Sequence, residues 1–253
     1  MLECQTVLAA PAPLPRELFT MAFQPVVNTN TLVVTAYEAT FCGPNGEGPA
    51  AFAAALPESA RPTFDLRCRV AALEQAIELG VIDRRVRLAV KVMPTYIADP
   101  LADAERMQRI VRRLGFPARE LVLEFSDRDH LESDHMVALV KAYRKLGFLI
   151  AFDDFGAGDM GLELLSLLTP DTLKLAPELV HSLSTSWARR LVVERVVEIA
   201  RKGRIRLIAE GVDTRAEHDR LHSLGVSLMQ GEAIAPRQVG ALPAPALRFD
   251  GAN

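Results

Sequence analysis

Residues 149–158 read Leu-Ile-Ala-Phe-Asp-Asp-Phe-Gly-Ala-Gly. Four apolar residues run straight into a pair of carboxylates, and a glycine-rich turn follows. An apolar run of this length, bounded by turn residues, reads as a strand buried on both faces. The same arrangement recurs on either side. Upstream lie VRLAVKV (86–92) and LVLEF (121–125); downstream lie DTLKLA (171–176), RLIAE (206–210) and VSLMQG (226–231).

Helical periodicity fills the gaps between these runs. RPTFDLRCRVAALEQAIELG ends at Gly80, ADAERMQRIVRRLGF closes on Gly115, and HMVALVKAYRKLGF closes on Gly147. Glycine at a helix C-terminus supplies left-handed backbone at little cost. GLELLSLL (161–168), residues 186–203 and TRAEHDRLHSLG (214–225) are further helices. At the front, FQPVV (23–27), Asn28-Thr29-Asn30 and TLVVTAYEA (31–39) read as a hairpin. CGPNGEGPAAFAAALPESAR (42–61) reads as a loop around one short helix. Strands alternating with helices make parallel βαβ units. About eight strands predict an α/β fold, a (β/α)8 TIM-like barrel with an opening hairpin and one antiparallel strand. An open doubly wound sheet is the competing topology, but no G-x-G-x-x-G or P-loop pattern follows any strand.

Composition narrows the function. The chain has 253 residues, 29 Lys+Arg and 32 Asp+Glu, for a formal charge of −3. That disfavours a non-specific nucleic-acid binder. Cys4, Cys42 and Cys68 form no close pair, so neither a disulfide scaffold nor a thiolate zinc site is expected. No apolar run reaches membrane-spanning length, and the N-terminus lacks a charged signal-peptide start, so a cytoplasmic protein is expected. Residues 1–18 are expected to be a flexible arm, 19–240 the domain and 241–253 a C-terminal tail.

In a parallel barrel the C-terminal ends of the strands face the usual site. Here they carry Glu38, Glu124, Asp153, Asp154 and Glu210, with Lys174 inside DTLKLA and Gln230 near the end of the last strand. One such acid is ordinarily a helix cap or a solvated loop residue. Five around one mouth would repel unless cations sit among them. Hard oxygen donors and few histidines favour Mg2+ or Mn2+, and a pair of such ions suits phosphodiester hydrolysis. His218 and His222 have zinc-compatible spacing but no evident third ligand, so a solvated helix face is expected.

The chain resembles the EAL-domain family, which hydrolyses cyclic di-GMP to linear pGpG. The matching stretches are FQPVV, YEA (37–39), LVLEFSD (121–127), AFDDFGAG (151–158), LKL (173–175), IAEGVDT (208–214) and LMQG (228–231). The neighbourhood of AYEA and GPNGEG is similar to EAL domains of blue-light-sensing proteins. The resemblance implies Glu38, Glu124 and Asp153 as ligands of one metal, and Asp153, Asp154 and Glu210 around a second. It implies Lys174 as the residue that orients or deprotonates the attacking water, with Glu210 and Gln230 in the catalytic set. Gln24, Glu38, Asp153 and Gln230 are implied to contact the nucleotide. The family's loop over 154–162 couples dimerisation to the active site, so a homodimer is a further expectation.

The sequence departs from the family at several functional places. The name-giving motif reads Glu38-Ala39-Thr40. Cys42 replaces a phosphate-binding arginine, Lys91 a metal-ligating asparagine, and Ala176 an aspartate. The stretch after DDFGAG reads Asp159-Met160-Gly161-Leu162, and ExTE reads Glu124-Phe125-Ser126-Asp127. An ammonium has no lone pair for a metal, so Lys91 is expected either to take one ion's place among the acids or to extend into solvent. The expected function is a divergent EAL protein with weak or no hydrolysis, acting through the nucleotide or a partner protein. An active magnesium-dependent phosphodiesterase and an interaction module that binds neither metal nor nucleotide are the alternatives.

Overall fold

The computed structural model describes residues 19–247 apart from 130–131, 159–160, 182 and 184. The expected arm over 1–18, Cys4, and the departures at Asp159 and Met160 lie outside the described residues. The chain opens with β1 (Thr20–Asn28) and β2 (Val33–Cys42), paired antiparallel from Thr20↔Cys42 to Asn28↔Val33. The turn between them places Leu32 at φ 57°.

Helices α1 (Pro49–Ala54), α2 (Arg61–Glu78) and α3 (Val81–Arg84) lead into β3 (Arg87–Lys91). Helix α4 (Pro100–Leu114) precedes β4 (Leu121–Ser126), and α5 (Ser133–Lys145) precedes β5 (Leu149–Phe155). Helix α6 (Gly161–Leu167), β6 (Thr172–Leu175), α7 (Pro177–His181), α8 (Trp187–Gly203) and β7 (Arg206–Ala209) follow. Helix α9 (Arg215–Ser223), β8 (Leu228–Met229) and β9 (Gln238–Val239) complete the described elements. The long helices stop where the sequence predicts: Gly80, Gly115 and Gly147 all have positive φ, at 81°, 70° and 88°.

Strands β2 to β8 pair in sequence order, all parallel. β1 closes the barrel, antiparallel to both β2 and β8. The predicted TIM-like barrel, its opening hairpin and its one antiparallel strand are all present. β9 adds to the free half of β1 through Ala22↔Val239 and Phe23↔Gln238. The sequence reading missed β9, α3 and α7, which run for only two, four and five residues. Among the described residues, no helix is long and apolar enough to cross a membrane.

One continuous apolar core fills the space between barrel and helices. Inside the barrel the packing is different. Val26, Ala36 and Ile208 form one small cluster, and Ala89, Val122 and Ala151 another. Side chains alternate faces along a strand. Two positions on from these lumen residues come Glu38, Lys91, Glu124, Asp153 and Glu210. The strand period therefore carries all five charges to one level of the lumen.

Helices α2, α4 and α5 are tied together by Arg69, which is fully buried. Its guanidinium meets Asp65 at 2.6 Å and Asp103 at 2.8 Å, and donates to the Tyr143 hydroxyl at 2.9 Å. Tyr143 in turn donates to Asp103. A buried guanidinium holds its place only when paired in this way.

Candidate active site

At the C-terminal mouth of the barrel the centre is Lys174, on β6 and fully buried. Its Nζ lies 2.9 Å from Glu38 Oε2, 2.9 Å from Glu124 Oε1, 3.2 Å from Asp153 Oδ1 and 2.7 Å from Glu210 Oε1. Four strands thus deliver one carboxylate each to a single ammonium. Burial by itself lowers an ammonium pKa; these carboxylates outweigh it and raise Lys174 well above the usual lysine range.

Lys91 is the second cation. Its Nζ stands 2.9 Å from Asp153 Oδ2 and 3.9 Å from Glu38 Oε1, on the opposite oxygens from those facing Lys174. Its side chain is 41% exposed, against 1% for Lys174. Lys91 therefore does not leave the acids for solvent; its ammonium meets the Glu38–Asp153 pair from the open side of the cluster. Its pKa is raised as well, because Asp153 and Glu38 outweigh the opposing effect of burial.

The carboxylates divide accordingly. Burial raises Glu38 and Asp153, but Lys174 and Lys91 outweigh it and hold both below the ordinary range. Burial pushes Glu124 up to about 8 despite Lys174. Burial, reinforced by the charge of Asp153, puts Glu210 well above the ordinary range. Glu124 Oε2 is buried with no hydrogen-bond partner.

Gln230, just past β8, donates from Nε2 to Glu38 Oε2 at 2.7 Å and to Gln24 Oε1 at 3.1 Å. Gln24 is fixed in turn by donating to the Ala235 carbonyl at 3.0 Å. Gln230 Oε1 is buried without a partner. Asp154 takes left-handed backbone at φ 55°, a region that Asp tolerates better than most side chains. Its carboxylate accepts from Ser126 Oγ at 2.8 Å and faces Arg128 Nε at 3.4 Å. Arg128 also pairs with Glu178 on α7 at 2.5 Å.

The structure thus brings together Gln24, Glu38, Glu124, Asp153, Lys174, Glu210 and Gln230, with Asp154 at the edge. Ser126 and Arg128 were not singled out from the sequence as site residues. Their placement depends on how the backbone turns at Asp154, which no residue pattern reveals. Cys42 is a free thiol and Ala176 is fully buried; neither supplies a charge. His218 and His222 stack on α9 with ring centroids 6.1 Å apart, and His222 is engaged by Asn30.

Part of this cluster suits a divalent metal. Asp153, Asp154 and Glu210 each offer an oxygen, all within 4.8 Å of one another. A hard cation there would oppose the burial that raises Glu210. The side bounded by Glu38, Glu124 and Asp153 fits a second metal less well, since the Lys91 ammonium already meets two of those three acids, Asp153 at 2.9 Å and Glu38 at 3.9 Å.

An eight-stranded barrel with acids and lysines gathered at the C-terminal ends of its strands defines a TIM-barrel protein. More narrowly, the chain belongs to the EAL domain family, whose model matches residues 10–237. It is 27% identical over 224 residues to the blue light- and temperature-regulated antirepressor BluF of Escherichia coli, covering 88% of this chain and 55% of that protein. The chain spans about half the length of the curated relatives it matches. Among solved structures, a standalone EAL protein from Vibrio cholerae in a c-di-GMP-bound form is 31% identical with a TM-score of 0.83. That match covers 92% of this chain and 98% of the other. Klebsiella pneumoniae BlrP1, in a manganese and cyclic di-GMP complex, is 28% identical with a TM-score of 0.82 over 92% of this chain and 59% of its own.

Proposed function

We propose that this chain is a divergent EAL-domain protein of cyclic di-GMP signalling that binds the nucleotide and hydrolyses it weakly or not at all. The observation that carries the reading is the Lys91 ammonium, 2.9 Å from Asp153 Oδ2 and within the Glu38–Asp153 pair. A fixed cation there does for the acids what a metal would do electrostatically, but it offers no coordination site for water. Lys174 lies within 3.2 Å of all four carboxyl groups, those of Glu38, Glu124, Asp153 and Glu210, and orients them. Gln230 has a free buried oxygen to accept from a ligand or a water, and Gln24 holds its amide in place. Asp153, Asp154 and Glu210 would hold Mg2+ or Mn2+. A bound ion of this kind would lower the pKa of a water and screen phosphate charge.

The same triad, with its oxygens within 4.8 Å, favours an active magnesium-dependent phosphodiesterase as a second reading. One experiment separates the two. Cyclic di-GMP is titrated calorimetrically with Ca2+ and with Mg2+ present, and the products are chromatographed for pGpG. Binding with little or no pGpG is the expected result. Rapid conversion to pGpG would establish the enzyme, and no heat in any buffer would leave the domain as a protein-interaction module.

A further inference from the structure

The cavity above the acid cluster has a volume of about 310 Å3. Five carboxylates line it, including Asp213 and Glu232 at the exposed rim. Such a cavity repels an anion unless cations reach into it. Lys174 cannot, because it is 1% exposed and tied to four carboxylates. Among the described lining residues, two cations remain, Lys91 and Arg237. Arg237 is exposed and has no ion-pair partner among the described residues. It directly precedes β9, which lies along β1 on the side away from β2. Lys91 ends β3, which lies beyond β2. The two cations therefore flank the β1–β2 hairpin that presents Gln24 and Glu38.

We propose that Lys91 and Arg237 form a two-cation clamp that holds a cyclic dinucleotide in this cavity without a divalent metal. One cation faces each phosphodiester anion of the ligand: Arg237, with no ion-pair partner among the described residues, and Lys91, which the ligand shares with Asp153 and Glu38. Guanidinium suits a phosphate because its paired N–H groups meet two oxygens at once, while the ammonium acts as a point charge. Lys91 keeps its pairing with Asp153 on one side and presents its exposed face to the ligand on the other. The clamp rests on the nucleotide-binding reading above and adds to it the contacts and the independence from metal.

The test is calorimetric titration of the whole chain with cyclic di-GMP, first in EDTA and then in Ca2+. It is repeated for Arg237→Ala, Arg237→Lys and Lys91→Met, with circular-dichroism melts to verify folding. Wild type is expected to bind in EDTA. Arg237→Ala is expected to weaken that binding about tenfold, as loss of one charge-assisted phosphate contact does, with Arg237→Lys falling between. Arg237 has no ion-pair partner among the described residues, so its variants keep the test valid even if Lys91→Met melts. Binding by wild type in Ca2+ but not in EDTA would overturn the clamp while leaving nucleotide binding intact. Equal binding by wild type and Arg237→Ala in EDTA would also overturn it. No binding in either buffer would overturn both readings.

Discussion

Lys91 shows how one side chain redirects a site. Its ammonium meets the oxygens of Asp153 and Glu38 that point away from Lys174. Removing that charge while keeping a neutral oxygen donor should open the position to a metal. Lys91→Asn is expected to raise Mg2+ affinity about tenfold or more, since a unit charge a few ångströms away acts at roughly that scale. The measurement is the shift of the melting midpoint between EDTA and Mg2+; an unchanged shift would show that Lys91 does not stand in a metal's place. The sequence left two places open for Lys91, among the acids or out in solvent, because the strand period sets the face of a lysine but not where its long side chain ends. Its partner oxygens were not legible either. Nor was Arg128, whose reach to Asp154 depends on the φ of 55° at that aspartate.

At the scale of elements, the sequence was read well where periodicity is long and poorly where it is short. The strands ending in acids and the glycine-stopped helices α2, α4 and α5 were all legible. α3, α7 and β9 hold too few residues to show any period. The tie between helices was also invisible, because Arg69, Asp65, Asp103 and Tyr143 are scattered over three of them. Burial raises Asp103, but the hydrogen bond and charge of Arg69 outweigh it and lower its pKa. A carboxyl lowered in the folded state contributes stability above its unfolded pKa of about 3.9, and loses it as pH falls through the folded value. Urea denaturation of wild type and Asp103→Asn from neutral pH downward should therefore converge below about pH 4. A gap of constant size would remove the ionised carboxylate from the account. Asp65 works in the opposite sense, its pKa being raised by burial, and it is present in both proteins.

Over the whole molecule the barrel is closed unevenly. β4 and β5 pair over five residues, whereas β8 pairs with β7 and with β1 over two residues each. Opening should begin along β8, where few ladder bonds must break. Native-state hydrogen exchange is expected to find the amides of Leu228 and Met229 less protected than those of β4 and β5. Equal protection would mean that the barrel opens only as a unit. The hub at Lys174 has a different consequence, and it concerns experiments in living cells. Four strands from distant parts of the chain need that one ammonium to neutralise acids they have carried out of water. Without it Glu124 and Glu210 lose their cation and Glu38 and Asp153 keep only Lys91, a loss on the order of several kcal/mol. Chaperones and proteases would clear much of such a protein before any substrate met it. A null phenotype from a Lys174 substitution therefore has to be read beside an immunoblot, since it reports how much protein survives before it reports any chemistry.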